Sequence, residues 1–168
     1  LLDLRATQGL RVMALDVQDV YDEFNHGVLH PQAIRDLLGH TLAAWQPPLP
    51  TYVLLLGDGT IDYLDHLGHG WHNFVPAYPA RVDPYLGETA TDNRLVSVVG
   101  DDILPDLHIG RLPVTSAAQT SEVVDKIVQY ETAPPPGWWA RDVLFVADNV
   151  DAGGDFTSLS DLLSDGYI

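Results

Sequence analysis

The run Tyr52-Val53-Leu54-Leu55-Leu56, stopped abruptly by Gly57-Asp58-Gly59, constrains this chain more than any other segment. Five consecutive apolar residues are strand length, and a strand without alternation is one covered on both faces. Strands of that kind belong to parallel sheets sandwiched between helices, so the segments around it are expected to alternate between strand and helix. They do. Leu1 to Gln8 reads as the last turns of a helix, with Gly9 as its cap, and Leu10 to Val17 as a strand. Asp19 to Phe24 is a short helical turn. His30-Pro31 opens a longer helix, because proline suits a first helical position and Ile34, Leu37, Leu38, Leu42 and Trp45 share a face. Residues 58–92 carry Asp, His, Gly, Pro and aromatics without a sustained period and form a long excursion.

Beyond the excursion, Arg94 to Val99 and Leu107 to Arg111 read as strands. A helix capped by Thr115 or Ser116 runs to about Glu131, with Val123, Val124, Ile127, Val128 and Tyr130 mostly facing inward. Pro134-Pro135-Pro136-Gly137 is a stiff connector, Arg141 to Ala147 a further strand, and a helix starts near Phe156 to Ser158. Tyr167-Ile168 would open one more strand. The fold class is therefore α/β, a mostly parallel sheet with helices on both faces. The order suggests a piece of something larger, incomplete at both ends.

Charge narrows the function classes. Eight Lys and Arg stand against 24 Asp and Glu, a net charge of −16. Such a chain has no electrostatic footprint for nucleic acid or for an anionic membrane surface, and it has ample oxygen donors for hard cations. No apolar run approaches the ~18 residues of a membrane span. There is no cysteine, which excludes disulfides, thiolate metal sites and a cysteine nucleophile within these residues.

Four constellations could carry chemistry. Asp58, just past a buried strand, lies where α/β proteins place ligands; the plain alternative is a turn. Asp102 and Asp106, with carbonyls between them, could wrap a calcium ion in a short loop that is not an EF-hand; the alternative is a solvated acidic turn. His66, His69 and His72 have helical spacing suited to zinc, but Gly68 and Gly70 interrupt, and exposed loop histidines are the simpler reading. Asp148, Asp151 and Asp155 follow a strand end in a glycine-rich loop, where they could line a pocket for a cationic group or hold a metal; the plain alternative is a solvated loop with Asp155 near the next helix's N-terminus. Neither a Gly-x-Ser-x-Gly elbow nor a phosphate loop is present.

Several segments, in order, resemble the gingipain-like family of cysteine peptidases, which have a caspase-like fold. They are Val20 to Phe24 with Pro31 to Leu38, then Tyr52 to Asp58, then Pro105-Asp106-Leu107-His108-Ile109-Gly110-Arg111-Leu112-Pro113. Gln129-Tyr130-Glu131 and Val146-Ala147-Asp148-Asn149 complete the set. The resemblance implies a first, non-catalytic subdomain over residues 1–133, lacking its opening strand. It implies the first strand and helix of a second, catalytic subdomain over 138–168.

In that family the catalytic His lies in a Gly-His-Gly after a buried strand and is followed by the Cys. Gly68-His69-Gly70 precedes Gly110-Arg111 and follows Asp65-His66, so His69 does not match. The dyad is expected outside these residues, the chain by itself inert, and no catalytic residue is assigned. The resemblance further implies a structural calcium held by the carboxylates of Asp58, Asp102 and Asp106 and the backbone oxygens of Val99 and Leu104. It places Asp155 nearest to an acidic substrate-pocket residue. It implies a secreted or cell-surface protein acting on proteins or peptides, partnered by the remainder of its peptidase domain. The alternative from another class is an acidic, calcium-stabilised interaction or scaffold module that never had the dyad.

Overall fold

The computed structural model describes residues 1–85 and 87–167, and the chain falls into two compact units, Leu1–Thr132 and Ala133–Ile168. In the first unit the helices are α1 (Leu2–Thr7), α2 (Val17–Asn25), α3 (Pro31–Ala44), α4 (Asn93–Val96) and α5 (Ala117–Thr132). The strands are β1 (Tyr52–Leu56), β2 (Pro79–Asp83), β3 (Gly87–Ala90) and β4 (His108–Leu112).

Local chemistry sets the helix ends. Asp16 caps α2, its carboxylate accepting from the Gln18 amide at 2.9 Å. Pro31 opens α3 as expected, with the Nδ1 of His30 accepting from the Gln32 amide at 3.1 Å. Arg5 of α1 donates to both carboxylate oxygens of Glu131, at 2.5 and 2.6 Å, and so ties α1 to the last turn of α5.

β1 and β4 pair in parallel, with Tyr52 opposite His108 and Leu56 opposite Leu112. Val53, Leu55 and Ile109 turn toward the core made by Val20, Tyr21, Ala33, Ile34, Leu38, Val75, Leu95, Val96 and Leu107. Tyr52, Leu54 and Leu56 lie on the exposed face, so β1 is covered on one face and not on both as its unbroken apolar run predicts. The α/β character read from the sequence is therefore present as a parallel pair flanked by helices.

Among the described residues, three expected strands are absent. Residues 10–16 form no strand: they have the apolar spacing but no ladder to join, and Leu10, Val12, Met13 and Leu15 stay exposed. Arg94 to Val99 is no strand, because the Leu95 amide turns back to Asp92 O and two adjacent residues, Leu95 and Val96, are both fully buried. Alternation cannot bury neighbours on one face, whereas a helical turn can. The excursion also holds an antiparallel hairpin, β2 against β3.

In the second unit a 3-10 turn at Trp138–Arg141 precedes 142–149, which have no regular structure. Val143, Leu144 and Val146 are exposed, so the expected strand Arg141 to Ala147 lacks a partner. Helix α6 (Phe156–Tyr167) follows; Tyr167 belongs to it and opens no strand, and Ile168 lies outside the described residues.

Candidate functional site

The carboxyl-terminal edge of the parallel pair is the most constrained place in the first unit. The ladder continues past β1, with the Gly57 amide donating to Leu112 O at 2.9 Å and the Asp58 amide to Val114 O at 3.0 Å. The Asp58 carbonyl accepts from the amides of Phe74 and Val75, at 3.0 and 3.2 Å. These bonds press the chain at 74–77 onto the end of β1. A Cβ on Gly57 would lie 2.6 Å from that of Phe74, and one on Gly59 only 2.4 Å from Val75 O. Gly57 also has φ +137°, a conformation that side chains disfavour. Asp58 is thus fixed between two required glycines, with its Oδ1 accepting from the Gly59 amide at 2.9 Å.

Arg111 of β4 completes this edge. Its Nε and Nη2 each donate to one oxygen of Asp92 at 2.7 Å, and its Nη1 to the carbonyls of Gly57 (2.8 Å) and Val75 (2.7 Å). A cavity of about 210 Å³ is lined by Asp58, Gly59, Ala77, Ala90, Asp92 and Arg111. A wider open groove of about 660 Å³ runs from Asp58 to Thr60, Trp71, His72, Phe74 and Thr115. Beneath, Tyr21 is buried and its hydroxyl has no hydrogen-bond partner among the described residues. Burial pushes its pKa up to about 12, against the opposing pull of Arg111.

The calcium candidates lie in two places. Asp58 is at the β1 edge, whereas Asp102 and Asp106 are in the loop before β4. The Asp106 Oδ2 accepts from the amides of Val98 and Val99 at 2.7 and 2.8 Å, and the Asp102 Oδ1 from the Leu104 amide at 2.9 Å. Among the described residues no group of three or more His, Cys, Asp or Glu gathers closely enough to hold a metal ion. In the loop, Asp102 and Asp106 each use one carboxylate oxygen to accept backbone amides.

The histidine loop is ordered by carboxylates. Asp62 accepts from the amides of His66 and Leu67, and Asp65 from Gly70; the two amides on Asp62 hold its carboxyl below the usual range. His69 stacks on Trp71 with ring centroids 4.5 Å apart. In the second unit Asp155 sits at the start of α6, accepting from the amide (3.0 Å) and hydroxyl (2.7 Å) of Ser158, which lower its pKa. This is the capping arrangement of a helix N-terminus.

Sequence reasoning found Asp58 through its place after a buried strand. It missed the pairing of Arg111 with Asp92, whose only sequence signal is a cation inside a strand of a chain with few cations. Tyr21 was noticed only within a motif.

A parallel strand pair flanked by helices, with an acidic glycine-framed carboxyl-terminal edge, defines an α/β protein. Its fold is similar to that of dimeric latent PorU from Porphyromonas gingivalis, with a TM-score of 0.58 at 20% identity over 94% of this chain. The family model of peptidase family C25 matches residues 1–167, and the chain belongs to that family, the gingipain family expected from its motifs. The chain spans 16% of the length of the PorU chain. No curated protein matches it significantly. No described helix is long and apolar enough to cross a membrane.

Proposed function

We propose that these residues are the structural, non-catalytic portion of a gingipain-like cysteine peptidase domain, with the His–Cys dyad outside them. Family membership supports the peptidase reading. The observation that carries the rest is compositional: a member of a cysteine-peptidase family contains no cysteine over 168 residues. The two units correspond in this reading to most of a first subdomain and the start of the catalytic one. Its substrates are proteins or peptides, its partner is the remainder of the peptidase domain, and its place is outside the cell or on its surface.

The calcium part rests on the donor chemistry of Asp58, Asp102, Asp106 and the Val99 and Leu104 carbonyls alone. Asp102 and Asp106 each cap amides through one oxygen and keep the other for a cation. The rival, an acidic scaffold module whose parent never had the dyad, shares that calcium response. The parent gene separates the two, since a peptidase must encode a buried strand ending in Gly-His-Gly and then a Cys.

The direct test is a peptidase assay on the purified 168-residue chain. No turnover is expected, because no thiolate, serine elbow or gathered metal site is on hand. Chelator-insensitive hydrolysis that survives repurification overturns the assignment.

A further inference from the structure

The open groove of about 660 Å³ beside Asp58 has the size of a ligand site. Two features set its chemistry. The first is charge. Arg111 and Asp92 neutralise each other through two parallel bonds, so Asp58 is the charge left over at this edge. One of its oxygens accepts from the Gly59 amide; among the described residues the other accepts from no protein donor. The second feature is an aromatic wall. Trp71 is 61% exposed, and its ring is held in place by the stack on His69. Phe74, further along the groove, lies edge-on to His72.

We infer that this groove binds a cationic side chain, arginine or lysine, carried by an apolar segment of another protein. Asp58 supplies the counter-charge and Trp71 an aromatic ring that attracts a cation. The aliphatic stem of such a side chain has Trp71 and Phe74 to lie along. The same loop exposes Ile61, Leu64 and Leu67, which would meet apolar residues flanking the cation. The head group belongs on the Trp71 side of Asp58. In the smaller cavity on the other side the Arg111 guanidinium would repel it. Charge also selects the partner. A chain with a net charge of −16 attracts basic segments and repels a second copy of itself. Its own cations are scarce, and Arg5, Arg35, Arg111 and Arg141 are already engaged. The inference does not depend on the peptidase reading, because the segment is held here and not cut.

The test is fluorescence anisotropy of a labelled pentapeptide with a single arginine between leucines. It is titrated with the full chain in chelator, so that no divalent ion contends for Asp58. The peptide is expected to bind, and its glutamine counterpart to bind about tenfold or more weakly, since hydrogen bonds to charged groups are the strong ones. Asp58→Asn keeps an acceptor for the Gly59 amide and should weaken the arginine peptide by about tenfold. Trp71→Leu, at an exposed position, should weaken it by about threefold or more. Asp151→Asn removes the same charge from the second unit and should change the affinity by less than about twofold. No binding, equal affinity for the two peptides, or an affinity unchanged in Asp58→Asn or Trp71→Leu overturns the site. So does an equal loss in Asp151→Asn, which would mean diffuse attraction by the whole acidic surface. Free arginine amide that binds as tightly as the peptide overturns the protein partner, because the flanking leucines would then add nothing.

Discussion

Gly59 has no side chain because the space is occupied. Its Cβ would meet Val75 O at 2.4 Å and the Ala77 amide nitrogen at 3.0 Å, both backbone atoms, the first of them bonded to Arg111. Gly59→Ala must therefore displace the 74–77 segment and is expected to destabilise by about 1–3 kcal/mol, the usual range for overpacking. Gly39, in α3, is the counter-case: an added Cβ would meet Val98 Cβ at 3.8 Å, an ordinary contact. Gly39→Ala should stabilise by up to about 1 kcal/mol through helix propensity. Denaturant midpoints for the two variants should move in opposite directions; a shift in the same direction sinks the steric account. A second residue-scale prediction concerns Glu131, whose pKa the hydrogen bond from Arg5, aided by Gln8, holds down at about 2 rather than 4.5. A depressed carboxyl pKa means that the folded state favours the charged form. The contribution is fully present above about pH 4.5 and is lost as pH falls toward 2. Glu131→Gln should therefore melt below the unsubstituted protein near neutrality, with the gap closing through that window. A gap that is constant with pH would show that the Arg5 contact does not stabilise. The sequence marks Gly59 and Glu131 only as members of motifs, because the partners that fix their roles lie far along the chain. Asp58 stands out by itself, because it ends an unbroken apolar run.

The elements that were legible carry local signatures. Pro31 with its following apolar face marks α3, the unbroken run Tyr52–Leu56 marks β1, and Thr115-Ser116 marks the start of α5. What failed depends on partners that no local pattern contains. Residues 10–16 have apolar spacing yet pair with nothing described, and the hairpin β2–β3 lay hidden in a polar stretch where Arg81 faces Glu88 across the ladder. The stretch Arg94 to Val99 looked like a strand because hydrophobicity was counted without asking which way consecutive residues point. The same reasoning separates two apolar residues by what they touch. Leu95 of α4 is fully buried in the cluster formed with α2 and α3, whereas Leu144 is 86% exposed. Leu95→Ala should cost about 2–5 kcal/mol, lost transfer energy plus the cavity left behind. Leu144→Ala should stay within about 0.5 kcal/mol. A large loss at Leu144, measured by chemical denaturation, would mean that 143–147 is covered in solution.

For the molecule as a whole, a net charge of −16 sets a problem that packing does not solve. Like charges brought together by folding repel, and the compact state bears that cost. A divalent cation that binds only the folded chain would remove part of it and stabilise by mass action. Asp58, Asp102 and Asp106 are the proposed carboxylates. The loop pair already accepts amides through one oxygen each, Asp106 from Val98 and Val99 and Asp102 from Leu104, and keeps the second oxygen for the ion. At free calcium ~100 times the dissociation constant, the gain is about 2.7 kcal/mol. For a domain of this size it raises the melting temperature by roughly 5–10 °C. Magnesium should do less, because it demands a tighter octahedron and keeps its waters. Asp102→Asn should lose most of the calcium response. Asp151→Asn should retain it, because its carboxylate lies in the second unit and accepts from the Gly153 amide. Thermal melts in calcium, magnesium and chelator decide the matter. Equal melting temperatures in calcium and chelator would leave Asp102 and Asp106 as backbone caps of a solvated turn, and the metal would have to be given up.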